Sequence, residues 1–310
     1  MDDYFIKHKM REYDVRASFV GVQSGEVLQL LGDDSKVYNL CSISKLVTSL
    51  LCLKLFSQKK IDLTSKICEE LLNFENVEID VEDCLRHVSG IEDIEEDFMP
   101  NQSISKNKLL SNIKLGEYGK FLYSDHGYMI VQYFLEQKFG VKFENLVKQY
   151  IFAPLSLNSF KYINHRSEID AKTYCIGYDP KGAPIKESYS IYPYPAACGL
   201  WGNGKDIMIL LQEVTAGLRG ESALKIDQDI YSLFMKSKYE KWLGIGCFLE
   251  GEGSIVEFSS LGWGEGYQSI LASIPSQNRT IVVLTNKDSG KHQLESFCGD
   301  VYRSWVSTIE

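Results

Sequence analysis

The chain has 310 residues, of which 33 are Lys or Arg and 42 are Asp or Glu, and its formal net charge is −9. A hydrophobic share of 44% is typical of a globular protein, and the length suits one large domain or two that share a core. The acidic balance argues against nucleic acid and against an anionic membrane surface as partners, because both reward clustered Lys and Arg.

The cysteines are scattered and favour a reducing compartment. None of the eight forms a Cys-x-x-Cys pair, and several lie within apolar runs, as buried, reduced thiols do. Cys84 and His87 are three residues apart, but no second ligand pair follows at zinc spacing. We therefore expect no metal site.

The N-terminal segment and the longest apolar run bear on localisation. Residues 1–16 contain no apolar stretch of the kind that secretion signals have. The run 46–56 is interrupted by Thr48, Ser49 and Lys54 and is too short to span a bilayer, which takes about 20 residues. These features predict a cytoplasmic protein without a membrane span, exported only if a leader has been removed.

The first half of the chain begins with a predicted hairpin and continues with helices. Residues 17–23 and 26–31 flank a tight turn at Ser24 and Gly25, which predicts a β-hairpin of two paired strands. Residues 42–60 predict a helix with a broad apolar face. The region from about 62 to 190 has a mostly helical pattern, with loops at 90–105 and 178–195 and helix candidates at 106–113, 128–139 and 143–152.

The tail of the chain changes character. Short β-rich runs separated by turn residues predict an antiparallel meander over 241–249, 254–259, 267–274 and 280–285. Residues 294–309 then predict a closing helix. Strands therefore lie at both ends of the chain with helices between them. The simplest architecture is an α+β fold in which both termini build one sheet and a mostly helical region is inserted.

A serine three residues before a lysine is the pattern that carries chemistry here. The tetrapeptide SISK occurs twice, and six serines have a lysine at this spacing: Ser42, Ser57, Ser103, Ser105, Ser111 and Ser222. A serine hydroxyl is a poor nucleophile unless a base takes its proton. A lysine one helical turn later shares the face of the serine, and it can act as the base only if its pKa is lowered by burial or by a neighbouring cation.

Context singles out Ser42 among these six serines. A strongly apolar helix follows it, so its first turn should be buried, and a serine at a helix start offers its own N–H to a developing oxyanion. Ser103 follows an acidic, loop-like stretch, so Ser103 or Ser105 is better interpreted as a helix N-cap. Ser42 and Lys45 are therefore the candidate nucleophile and base.

The chain resembles the serine β-lactamase-related family, which includes class C β-lactamases, DD-peptidases, D-aminopeptidases and esterases of the family VIII type. The resemblance covers roughly residues 17–290 and rests on the shared order of weak motifs. After SISKLVTSL and KKIDL these are LRHVSGI at 85–91, GKFLYSDHGY at 119–128, IFAPL at 151–155, AACGL at 196–200, GEGY at 264–267 and VVLTN at 282–286.

The resemblance implies a fold and a site. The fold is β-lactamase/transpeptidase-like, with a sheet domain of residues 1–65 and 196–310, an inserted helical domain of residues 66–195 and a catalytic cleft between them. Tyr123 falls at the position of the tyrosine that shuttles the proton of the nucleophile, and a neighbouring ammonium favours its phenolate. Asp125 stands where many relatives have Asn; it could pair with Lys45 and weaken it as a base, contact a substrate group, or cap a helix.

The third motif departs from the family pattern. Relatives have Lys-Thr-Gly or His-Thr-Gly on a strand that lines the site, whereas this chain has Ser260-Leu261-Gly262 followed by Trp263. The cation that binds a substrate carboxylate is missing, although Gly262 still lets the strand lie close to substrate. The resemblance places the oxyanion hole at the backbone N–H groups of Ser42 and Trp263, and it places substrate against Asp125, Ser260 and Gly262.

These features predict a serine hydrolase that forms an acyl-enzyme with a small-molecule or peptide ester or amide lacking the usual carboxylate. It requires no metal or organic cofactor, and its oligomeric state is left open. The alternatives are a penicillin-binding protein, β-lactamase or D-amino-acid peptidase, and a catalytically silent member that binds a ligand. Arg86 or His87 could replace the missing cation, but we expect His87 to be a hydrogen-bonded loop residue.

Overall fold

The computed structural model describes residues 1–72, 74, 78–94, 99–102, 105–253 and 255–308. Its main feature is a six-stranded antiparallel sheet in the order β2-β1-β9-β8-β7-β6. The strands of this sheet are β1 Ser18–Ser24, β2 Val27–Gly32, β6 Phe248–Glu252, β7 Ile255–Gly264, β8 Tyr267–Ile274 and β9 Arg279–Thr285. A smaller sheet, in the order β3-β5-β4, consists of β3 Val37–Asn39, β4 Lys161–Tyr162 and β5 Leu200–Asn203.

The large sheet is covered on both faces, and its strand sequences show why. Successive side chains on a strand point to opposite faces, and on β1 Val20 and Phe19 join different apolar clusters. One cluster lies under α1 (Asp3–Glu12) and α11 (Phe297–Val306) and contains Val20, Ile270 and Val283. The other contains Phe19, Leu271 and Val282, together with α9 (Gly204–Leu218). Every residue of β8 is buried as a result.

Helix α2 (Ser44–Ser57) runs through the centre of the molecule. Its residues are buried from Ser44 to Leu55, including the polar residues Lys45 and Thr48, because neighbouring elements pack against every side of the helix. The remaining helices are short except for α6, and they are α3 Ile67–Glu70, α4 Val81–Leu85, α5 Lys106–Ser111, α6 Asp125–Phe139, α7 Phe143–Val147, α8 Ala153–Leu155 and α10 Gln228–Tyr231. In the described part of the chain, no helix is both long and apolar enough to cross a membrane.

Most of the predicted elements are present. The predicted hairpin is β1–β2, with Ser24 paired to Val27, and the predicted meander is β7–β8–β9. The closing helix is α11, and all eight cysteines are free thiols. Ser105 caps α5 as expected, whereas Ser103 lies outside the described residues. The predicted two-domain division stays a prediction.

Two parts of the predicted pattern were wrong or incomplete. The strand predicted over 241–249 begins only at Phe248, because residues 241–247 form a turn held by long-range bonds. In that turn Gly246 has a positive φ of 66° and its N–H donates to the oxygen of Leu85 at 3.1 Å. The N-terminal helix α1 and the long helix α9 were not predicted, since tertiary packing of their apolar faces stabilises them.

The buried sheet predicts a clear contrast between two leucines. Replacing Leu271, which is fully buried on β8, by Ala should lower the free energy of unfolding by about 2–5 kcal/mol, through lost burial and a residual cavity. Leu28→Ala on edge strand β2, where the side chain is 47% exposed, should cost less than about 1 kcal/mol. Urea denaturation followed by circular dichroism measures both, and equal losses would contradict the packing described here.

Candidate active site

Ser42 lies in a tight turn that leads directly into α2. The turn spans Cys41–Ile43, and Cys41 has a φ of 49°, in the left-handed region that a residue with a side chain rarely adopts. The conformation is held from both sides, because Cys41 N–H donates to Asn39 Oδ1 at 2.9 Å and Ser44 Oγ donates to the oxygen of Cys41 at 2.7 Å. The direction of the Ser42 side chain is therefore set by its neighbours rather than by a regular helix start.

The structure brings the predicted catalytic side chains together. Lys45 Nζ lies 3.2 Å from Ser42 Oγ, and Tyr123 OH lies 2.9 Å from the same oxygen. Lys45 also donates to the oxygen of Ala197 at 3.0 Å and forms a close ion pair with Asp125. Ser42 is thus hydrogen-bonded to both groups that could exchange a proton with it, and the predicted pairing of Asp125 with Lys45 is present.

The ion pair sets the protonation of Lys45. Burial by itself lowers the pKa of Lys45, but the Asp125 carboxylate and the Tyr123 oxygen raise it, and the result lies well above the usual value. The lowered pKa that Lys45 would need to act as the base is therefore absent, and Asp125 holds this lysine charged, which is one of the roles that the sequence left open for Asp125. At neutral pH Lys45 is an ammonium ion that donates hydrogen bonds.

The surroundings of Tyr123 shift its pKa in opposite directions. Desolvation raises the pKa of Tyr123, the Lys45 ammonium lowers it, and Asp125 raises it again. The net pKa is above its usual value, so the neighbouring cation moderates the effect of desolvation without overcoming it. At neutral pH most molecules carry Tyr123 as a phenol.

Asp93 positions the first turn of α6, and the sequence pattern did not identify it. Its carboxylate accepts from the N–H of Asp125 at 2.8 Å, from the N–H of His126 at 2.9 Å and from Ser124 Oγ at 3.1 Å. Ser124 is the N-cap and accepts from the N–H of Gly127 at 2.9 Å. Asp93 is 31 residues before this cap, and such a distant partner leaves no signal in local sequence.

His87 and Arg86 have structural positions. His87 Nδ1 accepts from the N–H of Ser124 at 3.0 Å, and its ring stacks on Tyr123 with 4.3 Å between centroids, so the prediction of a hydrogen-bonded loop residue is confirmed. Burial and the Lys45 charge lower the pKa of His87 to about 3, which keeps the imidazole neutral. Arg86 is buried and donates to Glu82 and to the oxygen of Lys236. Neither residue offers a free cation to the cleft.

Strand β7 lies against the turn that carries Ser42. A Cβ atom on Gly262 would lie 2.7 Å from the oxygen of Leu40 and 2.2 Å from Ser269 Oγ, so only glycine allows this approach. Ser260 is buried, whereas Trp263 is 43% exposed and its indole N–H donates to Asp288 at 2.9 Å. The indole ring therefore lies at the surface rather than in the core.

The cleft at Ser42 is small and is bounded by few charges. Its lining comprises Ser42, Lys45, His87, Tyr123, Leu243, Gly244, Gly246, Cys247, Phe248, Ser260 and Leu261. A larger cavity of about 580 Å³ lies near residues 142–164, and its described lining contains no serine, threonine or cysteine. Among the described residues, no group of three or more His, Cys, Asp or Glu side chains is arranged to hold a metal ion. The cleft with the nucleophile is therefore the candidate active site.

Comparison with known proteins places these motifs in a family. The family model described as Beta-lactamase matches residues 6–296. Penicillin-binding protein 4* of Bacillus subtilis (strain 168) is 24% identical over 288 residues, covering 82% of this chain and 61% of the relative. This chain thus spans about three fifths of the length of that relative.

Solved structures of low sequence identity share the fold. The D-amino acid amidase from Ochrobactrum anthropi SV3 is 17% identical and matches 99% of this chain and 100% of its own, with a TM-score of 0.83. The penicillin binding protein from Bacillus halodurans is 18% identical, with 100% of both chains covered and a TM-score of 0.81. A class C β-lactamase from Rhodobacter sphaeroides is 15% identical, with 98% of both chains covered and a TM-score of 0.78. The chain has the β-lactamase/transpeptidase-like fold and belongs to the Beta-lactamase family.

Proposed function

We propose that this chain is a serine hydrolase that forms an acyl-enzyme on Ser42 with an ester or amide substrate. The observation that carries the proposal is that Ser42 Oγ lies within hydrogen-bond distance of both Lys45 Nζ and Tyr123 OH, in the turn that leads into a buried helix. A ligand-binding module has no need for all three groups in contact. Nucleophilic catalysis needs a nucleophile and a base within such a distance.

The raised pKa of Lys45 supports Tyr123, of the two candidate bases, as the group that transfers the proton. Lys45 remains an ammonium ion, and its charge stabilises the phenolate form of Tyr123. The phenolate takes the proton of Ser42 as the Oγ–carbon bond forms. Tyr123 then gives this proton to the departing oxygen or nitrogen as its bond to the acyl carbon breaks. In deacylation water gives a proton to Tyr123 as its oxygen bonds to the acyl carbon, and Tyr123 returns that proton to Ser42 Oγ as the acyl–oxygen bond breaks and the acid leaves.

The oxyanion hole is proposed at the backbone N–H groups of Ser42 and Trp263. The close approach of β7 to the turn Cys41–Ile43, which Gly262 permits, supports this placement. Backbone donors survive a change of side chain, so the replacement of the usual motif by Ser260-Leu261-Gly262 leaves this part of the machinery intact. Such preorganised donors act on the charge that develops in the transition state.

The charges beside β7 support a substrate without a carboxylate. Ser260 provides no cation, and the indole of the exposed Trp263 donates to a carboxylate, that of Asp288. A carboxylate in such a place would be repelled, and burying it without a cation is costly. Asp125, Ser260 and Gly262 remain the proposed substrate-binding residues, and of these Ser260 lines the cleft.

Two alternatives are supported by specific observations. The Lys45–Asp125 ion pair, which removes Lys45 as a base, supports a silent ligand-binding member. The relatives named for penicillin binding and D-amino acid amide cleavage support a penicillin-binding or D-amino-acid-directed activity. The experiments below separate these alternatives from the proposed esterase or amidase.

An activated Ser42 should react covalently with a serine-directed reagent. We expect a fluorophosphonate to add one phosphonyl group to the protein, read by intact mass, and we expect the adduct to be lost in Ser42→Ala. Ser57→Ala is the matched control, because Ser57 also precedes a lysine by three residues but lies at the opposite end of α2, and it should label like the parent. A parallel incubation with penicillin tests for a penicillin-binding activity, and the absence of any fluorophosphonate adduct would sink the hydrolase proposal.

The pH dependence of labelling tests the role of Tyr123. Because the active form is the phenolate and the pKa of Tyr123 lies above its usual value near 10, the phenolate fraction should grow about tenfold per pH unit below that pKa. The second-order rate of fluorophosphonate labelling should therefore rise steadily from pH 7 to pH 9.5. A plateau that begins near pH 7 would indicate a base of much lower pKa.

Replacing Asp125 by Asn should shift this profile toward lower pH. The Asp125 carboxylate raises the pKa of both Lys45 and Tyr123, so its removal lowers the pKa of either candidate base. A shift of one pH unit corresponds to labelling that is about tenfold faster at pH 7.5. Asp288→Asn is the control, because Asp288 accepts a hydrogen bond from the indole of Trp263 and does not pair with Lys45. An equal shift of the pH profile in both variants would contradict a specific role for the ion pair.

A further inference from the structure

Three aromatic rings form a continuous surface beside the cleft. Phe121 and Trp242 meet edge to face with 4.7 Å between ring centroids. Trp242 stacks on Phe248 at 6.2 Å, and Phe121 lies 6.5 Å from Phe248. Each ring therefore contacts the other two. We call Phe121, Trp242 and Phe248 the aromatic wall.

Ring contacts connect the aromatic wall to Tyr123, whose hydroxyl is hydrogen-bonded to Ser42. Tyr123 OH is 2.9 Å from Ser42 Oγ, and His87 stacks on the ring of Tyr123. His87 in turn meets Phe121 edge to face at 6.1 Å. Phe248 also lines the cleft that contains Ser42. A substrate group bound beside Ser42 and Tyr123 therefore shares the cleft with Phe248, the member of the wall that lines it.

The wall is exposed, yet the turn behind it is rigidly held. Trp242 is 40% exposed, although Phe121 and Phe248 lie against two sides of its indole. The turn that carries it is anchored by Arg86, which donates to the oxygens of Lys236 and Leu243, and by the N–H of Leu249, which donates to the oxygen of Trp242 at 2.7 Å. A preformed apolar surface next to a nucleophile is the usual form of a substrate pocket.

The cleft that Phe248 lines offers little net charge to a substrate. Among the described lining residues, Lys45 is the sole charged side chain, and Asp125 neutralises it. His87, the polar residue between Tyr123 and the wall, is neutral because its pKa lies far below 7. A charged substituent would lose its hydration here without gaining a partner.

We propose that the preferred substrates are uncharged esters or amides whose leaving group carries an aromatic ring, and that this ring binds to the aromatic wall. This inference rests on the proposed function. Tyr123 gives its proton to the departing atom, so the leaving group lies beside Tyr123 and the wall extends from that point. For a benzyl ester, the Ser42 Oγ–carbon bond forms, the bond to the benzyl oxygen breaks, and the proton on Tyr123 yields benzyl alcohol. Water then releases the carboxylic acid.

The test compares three neutral esters. Benzyl acetate places the ring in the leaving group, ethyl phenylacetate places it in the acyl group, and ethyl acetate has no ring. In Trp242→Ala the ratio of kcat/KM for benzyl acetate to that for ethyl acetate should fall about tenfold relative to the parent, and Trp242→Phe should regain most of it. Tyr4→Ala, which removes an exposed aromatic ring on α1, should keep the parent ratio.

Each outcome has one meaning. If Trp242→Ala instead lowers the ratio of kcat/KM for ethyl phenylacetate to that for ethyl acetate, the wall holds the acyl group. The assignment of the wall to the leaving group is then overturned. If neither ratio changes in Trp242→Ala, the wall does not select substrate. Fluorophosphonate labelling of the parent separates this failure from that of the proposed function: a protein that labels at Ser42 without ring selectivity contradicts the inference alone, and a protein that does not label contradicts both.

Discussion

The buried ammonium group of Lys45 is the interaction on which the rest of the site depends. Moving such a charge out of water costs several kcal/mol unless its hydrogen bonds are satisfied inside the protein. Lys45 is 3% exposed, and its Nζ donates to Asp125, to the oxygen of Ala197 and to Ser42 Oγ. These acceptors come from the start of α6, from the segment before β5 and from the turn before α2. One cation thereby fixes the relative positions of three distant parts of the chain.

An aspartate at position 125 changes the chemistry of this cation. An asparagine would offer Lys45 a dipole, whereas the carboxylate offers a full charge at the N-terminus of α6, where negative groups are favoured. Asp93 holds the same helix end through three hydrogen bonds, so Asp125 has little freedom to move away. The resulting ion pair makes Lys45 an electrostatic partner of Tyr123 and leaves Tyr123 as the proposed proton carrier.

The sequence predicted those parts of the fold and site that depend on local spacing. The two runs that flank the tight turn at Ser24 and Gly25 predicted the first hairpin. The one-turn spacing of Ser42 and Lys45 predicted their contact. Family motifs predicted Tyr123. The turn at 241–247 was predicted as strand because its residues are β-prone, while the bonds that bend it reach Leu85 and Arg86, far away in the chain.

The sequence by itself determined which groups can react: a serine, a lysine and a tyrosine within short motifs, and a third motif without a cation. Only the tertiary structure decided how these groups are charged and what surrounds them. The pKa of Lys45 depends on a carboxylate 80 residues away, and the pKa of His87 on its burial beside Lys45. The aromatic wall joins Phe121 to Trp242 and Phe248 across more than 100 residues. Electrostatic and packing energies depend on distance in space and on desolvation, and separation along the chain reports neither.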